Sequence, residues 1–162
     1  MKITAKRPKN KALNATLTNR KKEKVLSINN DKAIFTDAGF DIHSRKGVMC
    51  VVIDGVPEIK EVVVPRIKGL KQYSNFLELI AVCWALRLTE EKNIIIQTDS
   101  RVARSWFNRK KNNLDKFSSY LYDVKEELER LKSKKNSVII RWVPRNKNLA
   151  GIVLEKRLLK IK

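Results

Sequence analysis

The chain has 162 residues, 43% of them hydrophobic and 33% charged, which is the composition of one ordinary folded domain and not of a disordered segment. Thirty-six Lys and Arg against seventeen Asp and Glu give a formal charge of +19, so the natural partners are polyanions, nucleic acid before an anionic membrane surface. Cys50, Cys83 and the single His43 exclude a disulfide framework, a zinc site of Cys/His type and a His-rich metal centre, so any metal must be held mainly by carboxylates.

No run of apolar residues is long enough to cross a membrane, and the basic N-terminus lacks the apolar stretch of a secretory signal; a cytoplasmic location is the expectation. Charge is concentrated at the ends. Residues 1–32 hold ten basic residues and two acids, and residues 132–162 hold ten and one. Residues 1–31 read as a basic extension, with weak strand character at 12–18 and 24–28. Residues 32–162 read as the folded domain.

In chain order, Ala33 to Phe40 is rich in strand formers, Lys46 to Asp54 is a second strand, Asp54-Gly55 is a hairpin turn signal, and Glu58 to Ile67 alternates as a third strand. Ser74 to Thr89 has neither Gly nor Pro and reads as a helix opening on Ser74 or Asn75 as N-cap. Asn93 to Thr98 is a short apolar strand of the buried type. Ser100 to Asn108 reads as a short helix, followed by a basic loop, Arg109 to Asn113. Phe117, Leu121, Val124, Leu128 and Leu131 form an amphipathic helical stripe. Ser137 to Val143 is a fifth strand stopped by Pro144, and residues 148–160 suggest a last helix. The order βββαβααβα predicts an α/β fold: a mixed five-stranded sheet, an antiparallel meander plus parallel strands, with helices on both faces. Trp84, Trp106 and Trp142 all fall inside these elements and are expected in the core. Cys50 and Cys83 read as buried free thiols, a bridge between them being the alternative.

Most acids lie on solvated helix faces, Glu126, Glu127 and Glu129 among them. Three do not. Asp37 is inside the first strand, Glu78 is flanked by Leu77, Leu79 and Ile80, and Asp99 directly follows the apolar strand NIIIQT. Ionised carboxylates in such settings are costly unless paired or bound to a cation, so the three suggest one oxygen-ligand metal site.

The segments FTDAGF, SNFLELIA, QTDS and WVPRNKN occur in the order and at the approximate spacing of type 1 ribonucleases H, and the chain resembles the compact archaeal and reverse-transcriptase-like branch of that family over roughly residues 32–156. Glu78 lying between the two Asp residues follows the ribonuclease H order and not that of integrases and transposases. The resemblance implies a ribonuclease H-like fold and a monomer. It also implies metal-dependent endonucleolytic cleavage of the RNA strand of RNA/DNA hybrids, with Mg²⁺ or Mn²⁺ as cofactor, two ions in the presence of substrate, and 5′-phosphate products. Carried over, Asp37, Glu78 and Asp99 are the catalytic metal ligands. Gly39, His43, Ser74, Asn75, Arg101, Arg145 and Asn148 are the candidate substrate contacts. Hybrid recognition would follow groove shape and 2′-hydroxyls, with steep salt dependence.

The sequence departs from the family in one respect that bears on catalysis. A fourth Asp, expected near the start of the last helix, is missing: Gly151 or Ile152 stands in its place, depending on whether Ala150 or Asn148 and Leu154 anchor the comparison. In the family that residue helps hold the ion that activates water. Glu155, one turn on, is the candidate substitute and is counted as a fourth catalytic residue. The family's frequent loop histidine is replaced by Arg145 and Lys147, and the space between the two middle helices holds only Arg109, Lys110, Lys111 and a few more residues where relatives insert a basic helix. The alternative reading is therefore a catalytically impaired ribonuclease H-like module that binds nucleic acid.

Overall fold

A computed structural model describes residues 32–109 and 119–159, with side chains to residue 157. The basic extension 1–31, its suggested hairpin, Lys110 to Asn113 and Phe117 lie outside the described residues. Five strands form one sheet: β1 (Lys32–Asp41), β2 (Lys46–Ile53), β3 (Val56–Val63), β4 (Asn93–Thr98) and β5 (Ser137–Trp142). Among the described residues four α-helices accompany them: α1 (Tyr73–Leu88), α2 (Arg101–Asn108), α3 (Ser119–Ser133) and α4 (Leu149–Leu159). The sheet order is β3-β2-β1-β4-β5, with β1–β2 and β2–β3 antiparallel and β1–β4 and β4–β5 parallel. This is the meander-plus-parallel arrangement the pattern predicts.

Strand alternation sorts the core into two layers. Ile34 and Val51 face α1, α2 and α3, joined there by Leu79, Val82, Leu86, Ile94, Ile96 and Leu128. Cys50 and Val52 face the other side, where Ala150 and Leu154 of α4 cover them with Phe35 and Val48. Both cysteines are buried and unbridged, Cys83 in the first layer and Cys50 in the second.

The third strand begins and ends earlier than its alternation suggests. Asp54 and Gly55 both have positive φ, 52° and 77°, the conformation of a two-residue hairpin turn, so the chain doubles back at once and Val56 pairs with Ile53. Val64 and Ile67 then leave the sheet and are buried as part of the loop before α1.

Lys125 breaks the polar-face reading of α3. Its position is i+4 from Leu121 and i−3 from Leu128, on the same buried face, and the residue is 1% exposed. The ammonium donates to the carbonyl oxygen of Phe107, in the last turn of α2, and pairs with Glu129 at 2.9 Å. A long cation thereby joins two helices through a backbone acceptor.

Gly47 sets how closely α1 approaches the sheet. A Cβ there would collide with Leu77 Cδ1 and crowd Val62. Leu77 precedes Glu78, so this close seating also fixes the carboxylate. Gly47→Ala is expected to lower stability by ~1–3 kcal/mol, read as a shift of the urea midpoint at unchanged slope; an unchanged midpoint would show that α1 has slack against β2.

Candidate active site

The parallel pairing of β1 with β4 runs to Phe35 opposite Gln97. Beyond it β4 stops at Thr98 while β1 continues to Asp41 against β2. Two residues past the last pair stand Asp37 and Asp99, at the carboxyl end of a parallel strand where the sheet opens a crevice. From α1, Glu78 closes the third side. Each of the three acids offers a carboxylate oxygen within 4.8 Å of the others.

Polar residues around the acids act as scaffold. Ser100 Oγ accepts from the Ala103 amide as N-cap of α2 and donates to Asn75 Oδ1, while the Ser100 amide donates to Thr98 Oγ1. The Trp142 indole donates to the Asp99 carbonyl at 3.1 Å. Asp99 is thus held from α1, α2 and β5 together.

Asp37 is 2% exposed and Glu78 5%. Among the described residues, Asp37 Oδ1 and Glu78 Oε2 are buried with no hydrogen-bond partner. Burial pushes the Glu78 carboxyl up to about 10, and the adjacent Asp37 charge adds to it. Burial likewise raises Asp37. Two desolvated carboxyl groups facing each other with unused oxygens suit a hard divalent cation, which takes oxygen ligands and offsets the charge.

The candidate substrate contacts do not all sit alike. Ser74 and Asn75 lie inside the first turn of α1 and do not cap it; Gln72 precedes the helix without a capping side chain, and Asn75 donates to Gln72 Oε1. Asn148 is wholly buried. Its amide donates to the Thr36 carbonyl and accepts from the Ala150 amide, clamping α4 to β1. It therefore has no exposed surface for a substrate, which corrects the expectation for this residue. Gly39 lies in β1 and its missing Cβ would meet only Val48 at ordinary contact distance. His43 is exposed in the β1–β2 turn, where its amide donates to Asp41.

Gly151, not Ile152, is the position that faces the acids: a Cβ on Gly151 would lie 3.2 Å from Asp37 Oδ2. Glu155 does not join the cluster. It is exposed and ion-paired at 2.7 Å with Arg145, whose other nitrogen reaches Asp99 Oδ2 at 3.4 Å.

Trp142 is not core. It is 37% exposed beside Asp99 and carries the Arg101 guanidinium over its ring at 4.7 Å. It is the last residue of β5, an edge strand, which the sequence pattern did not show. Trp84 and Trp106 do pack against the core. A groove of about 560 Å³ opens beside Arg101 between α2, the start of α3 and the loop before α1, with Leu70, Phe76 and Trp106 as apolar wall and Lys71 and Arg109 as basic rim.

The RNase H family model matches residues 29–151. The chain belongs to the RNase H family. Among solved structures, RNase H1 from the halophilic archaeon Halobacterium salinarum NRC-1 superposes with a TM-score of 0.61 at 16% identity, over 82% of this chain and 100% of that one. At that identity the likeness speaks for the fold. No curated protein gives a significant match. Among the described residues of this RNase H family member, no helix is long and apolar enough to cross a membrane.

The unfolded chain releases the Glu78 proton near 4.5, whereas the folded chain without metal keeps it to about 10. Rising pH between those values therefore favours unfolding, by no more than ~1.4 kcal/mol per pH unit for one proton. In EDTA, stability is expected to fall from about pH 6 to about pH 9, and Glu78→Gln to flatten that slope. Urea titrations across the range check this; equal slopes for both proteins would contradict it.

Proposed function

We propose that the protein is a divalent-cation-dependent endonuclease that cuts the RNA strand of RNA/DNA hybrids, leaving 5′-phosphate and 3′-hydroxyl ends. The observation that carries the reading is the convergence of Asp37, Glu78 and Asp99, two of them buried with unused oxygens, within a chain of the RNase H family. Asp37, Glu78 and Asp99 would hold Mg²⁺ or Mn²⁺, two ions once substrate is present. Such ions supply charge neutralisation at a phosphate and lower the pKa of an attacking water.

The chain's own residues do the rest. Asp37, Glu78 and Asp99 each offer an oxygen within 4.8 Å of the others, close enough to hold a cation together. The Ser100–Asn75 link and the Trp142–Asp99 bond keep the Asp99 carboxylate in place. Arg101, stacked on Trp142, and Arg145 present guanidinium groups to a phosphodiester backbone beside the acids. Ser74 and Asn75 in the first turn of α1, Gly39 two residues past Asp37 on β1, and His43 in the β1–β2 turn would be the substrate contacts. The 1–31 segment, as a separate basic extension from a domain at 32–162, adds positive charge for any nucleic acid.

Gly151 supports a second reading. Without a carboxylate against Asp37 the site has three acids, and the chain would then bind hybrids without cutting them. RNA-labelled hybrid with Mg²⁺ or Mn²⁺, beside Asp99→Asn, separates the two. The proposal expects cleavage that Asp99→Asn abolishes, at least ~10³-fold. Salt-sensitive binding with no cleavage in either metal would favour the binding module. Gly151→Asp is expected to raise the cleavage rate roughly tenfold or more, because a Cβ there lies 3.2 Å from Asp37 Oδ2 and would bring a fourth carboxylate to the acids; no gain would show that a fourth acid is not what limits the site.

A further inference from the structure

Arg145 has an arrangement that substrate binding alone does not account for. It sits in a single 3₁₀ turn, Arg145–Lys147, just before α4. Its Nε donates to Glu155 Oε1 at 2.7 Å, and Nη1 reaches Asp99 Oδ2 at 3.4 Å. Glu155 lies on the second turn of α4, so the helix itself carries the residue that aims the guanidinium at the site. Arg145 also acts on Asp37 through its charge. The residue on α4 that faces Asp37 is Gly151, which brings no carboxylate. The α4 side of the crevice thus presents a cation to the acids.

We propose that Arg145, positioned by Glu155, is a built-in counter-cation of the acidic site that weakens its hold on a divalent ion until a phosphate draws the guanidinium away. The inference rests on reading Asp37, Glu78 and Asp99 as a divalent-cation site. Its physical basis is charge: three carboxylates already share one fixed positive charge, and an incoming ion must compete with that charge for Asp99. Glu155 is a positioning residue. It holds the flexible Arg145 side chain, itself largely exposed, at Asp99 when nothing else does. A phosphate entering the crevice offers the guanidinium another partner, and Asp99 is then released to the cation site.

The test is Mn²⁺ titration of the full chain without nucleic acid at low ionic strength, followed by calorimetry and by the paramagnetic signal of free Mn²⁺. The wild type is expected to bind Mn²⁺, and Asp37→Asn to lose that binding. Arg145→Ala should bind Mn²⁺ about tenfold more tightly. Lys147→Ala removes the same charge from an exposed residue of the same turn and should change affinity less than about threefold. In a Glu155→Gln background, Arg145→Ala should likewise gain less than about threefold, because the guanidinium is no longer held. Arg145 is exposed, so its variants are expected to fold, with unchanged melting in EDTA as the control.

Equal effects of Arg145→Ala and Lys147→Ala would overturn the proposal, as would a gain that ignores Glu155. If Mn²⁺ binds and Asp37→Asn abolishes it while Arg145 is indifferent, only the counter-cation falls. If no variant binds Mn²⁺, the cation-site reading falls with it.

Discussion

Two carboxyl groups buried side by side are a standing cost in a protein interior, and the rest of this molecule is arranged around that cost. Asp37 comes from the central strand of the sheet and Glu78 from the helix packed over it. Neither can retreat to water without unseating an element of the core. Burial holds both acids toward their protonated forms and leaves an oxygen of each without a partner. A divalent cation would resolve the conflict, because it would supply the missing partner and stabilise the ionised forms together. The cost of the buried acid pair is also the physical ground for proposing a cation there.

The surrounding contacts show which parts are rigid and which are adjustable. On the strand side, Asp99 is fixed through its own backbone and through Ser100, so its carboxylate has a defined place. On the α4 side, the buried Asn148 clamps the helix start to β1, and Gly151 lies against Asp37 with no side chain between. The one charged group presented from that side, Arg145, is largely exposed and ion-paired, and it can exchange partners. A rigid acid pair facing a movable cation is suited to a ligand that brings its own phosphate charge.

Much of this was legible in the sequence because it depends on short-range pattern. The apolar run NIIIQT followed by Asp99 places that acid at a buried strand end, and the bounds Asn93–Thr98 are those the run implies. Glu78 among Leu77, Leu79 and Ile80 had to face the core of its helix. The element order sufficed to give the mixed sheet. Other features depend on tertiary packing and were not legible. Ser74 and Asn75 look like caps, yet the chain begins its helix at Tyr73 because Tyr73 and the loop residues Val64 and Ile67 pack together ahead of it. Lys125 looks solvated until the Phe107 carbonyl is brought within its reach. Trp142 reads as core by its strand, but it is the last residue of an edge strand and stands at the rim of the site. Gly47 carries no sequence signal of its contact with Leu77, thirty residues away. The alternative registers for the missing fourth acid are settled by the same kind of contact, Gly151 against Asp37.

The most direct measurement is anomalous diffraction from crystals of the full chain grown with Mn²⁺. The account predicts a manganese peak bonded to oxygens of Asp37 and Glu78, with Asp99 on its open side. A map without manganese in this crevice, with the Glu78 and Asp37 carboxyl groups still turned toward each other, would contradict it.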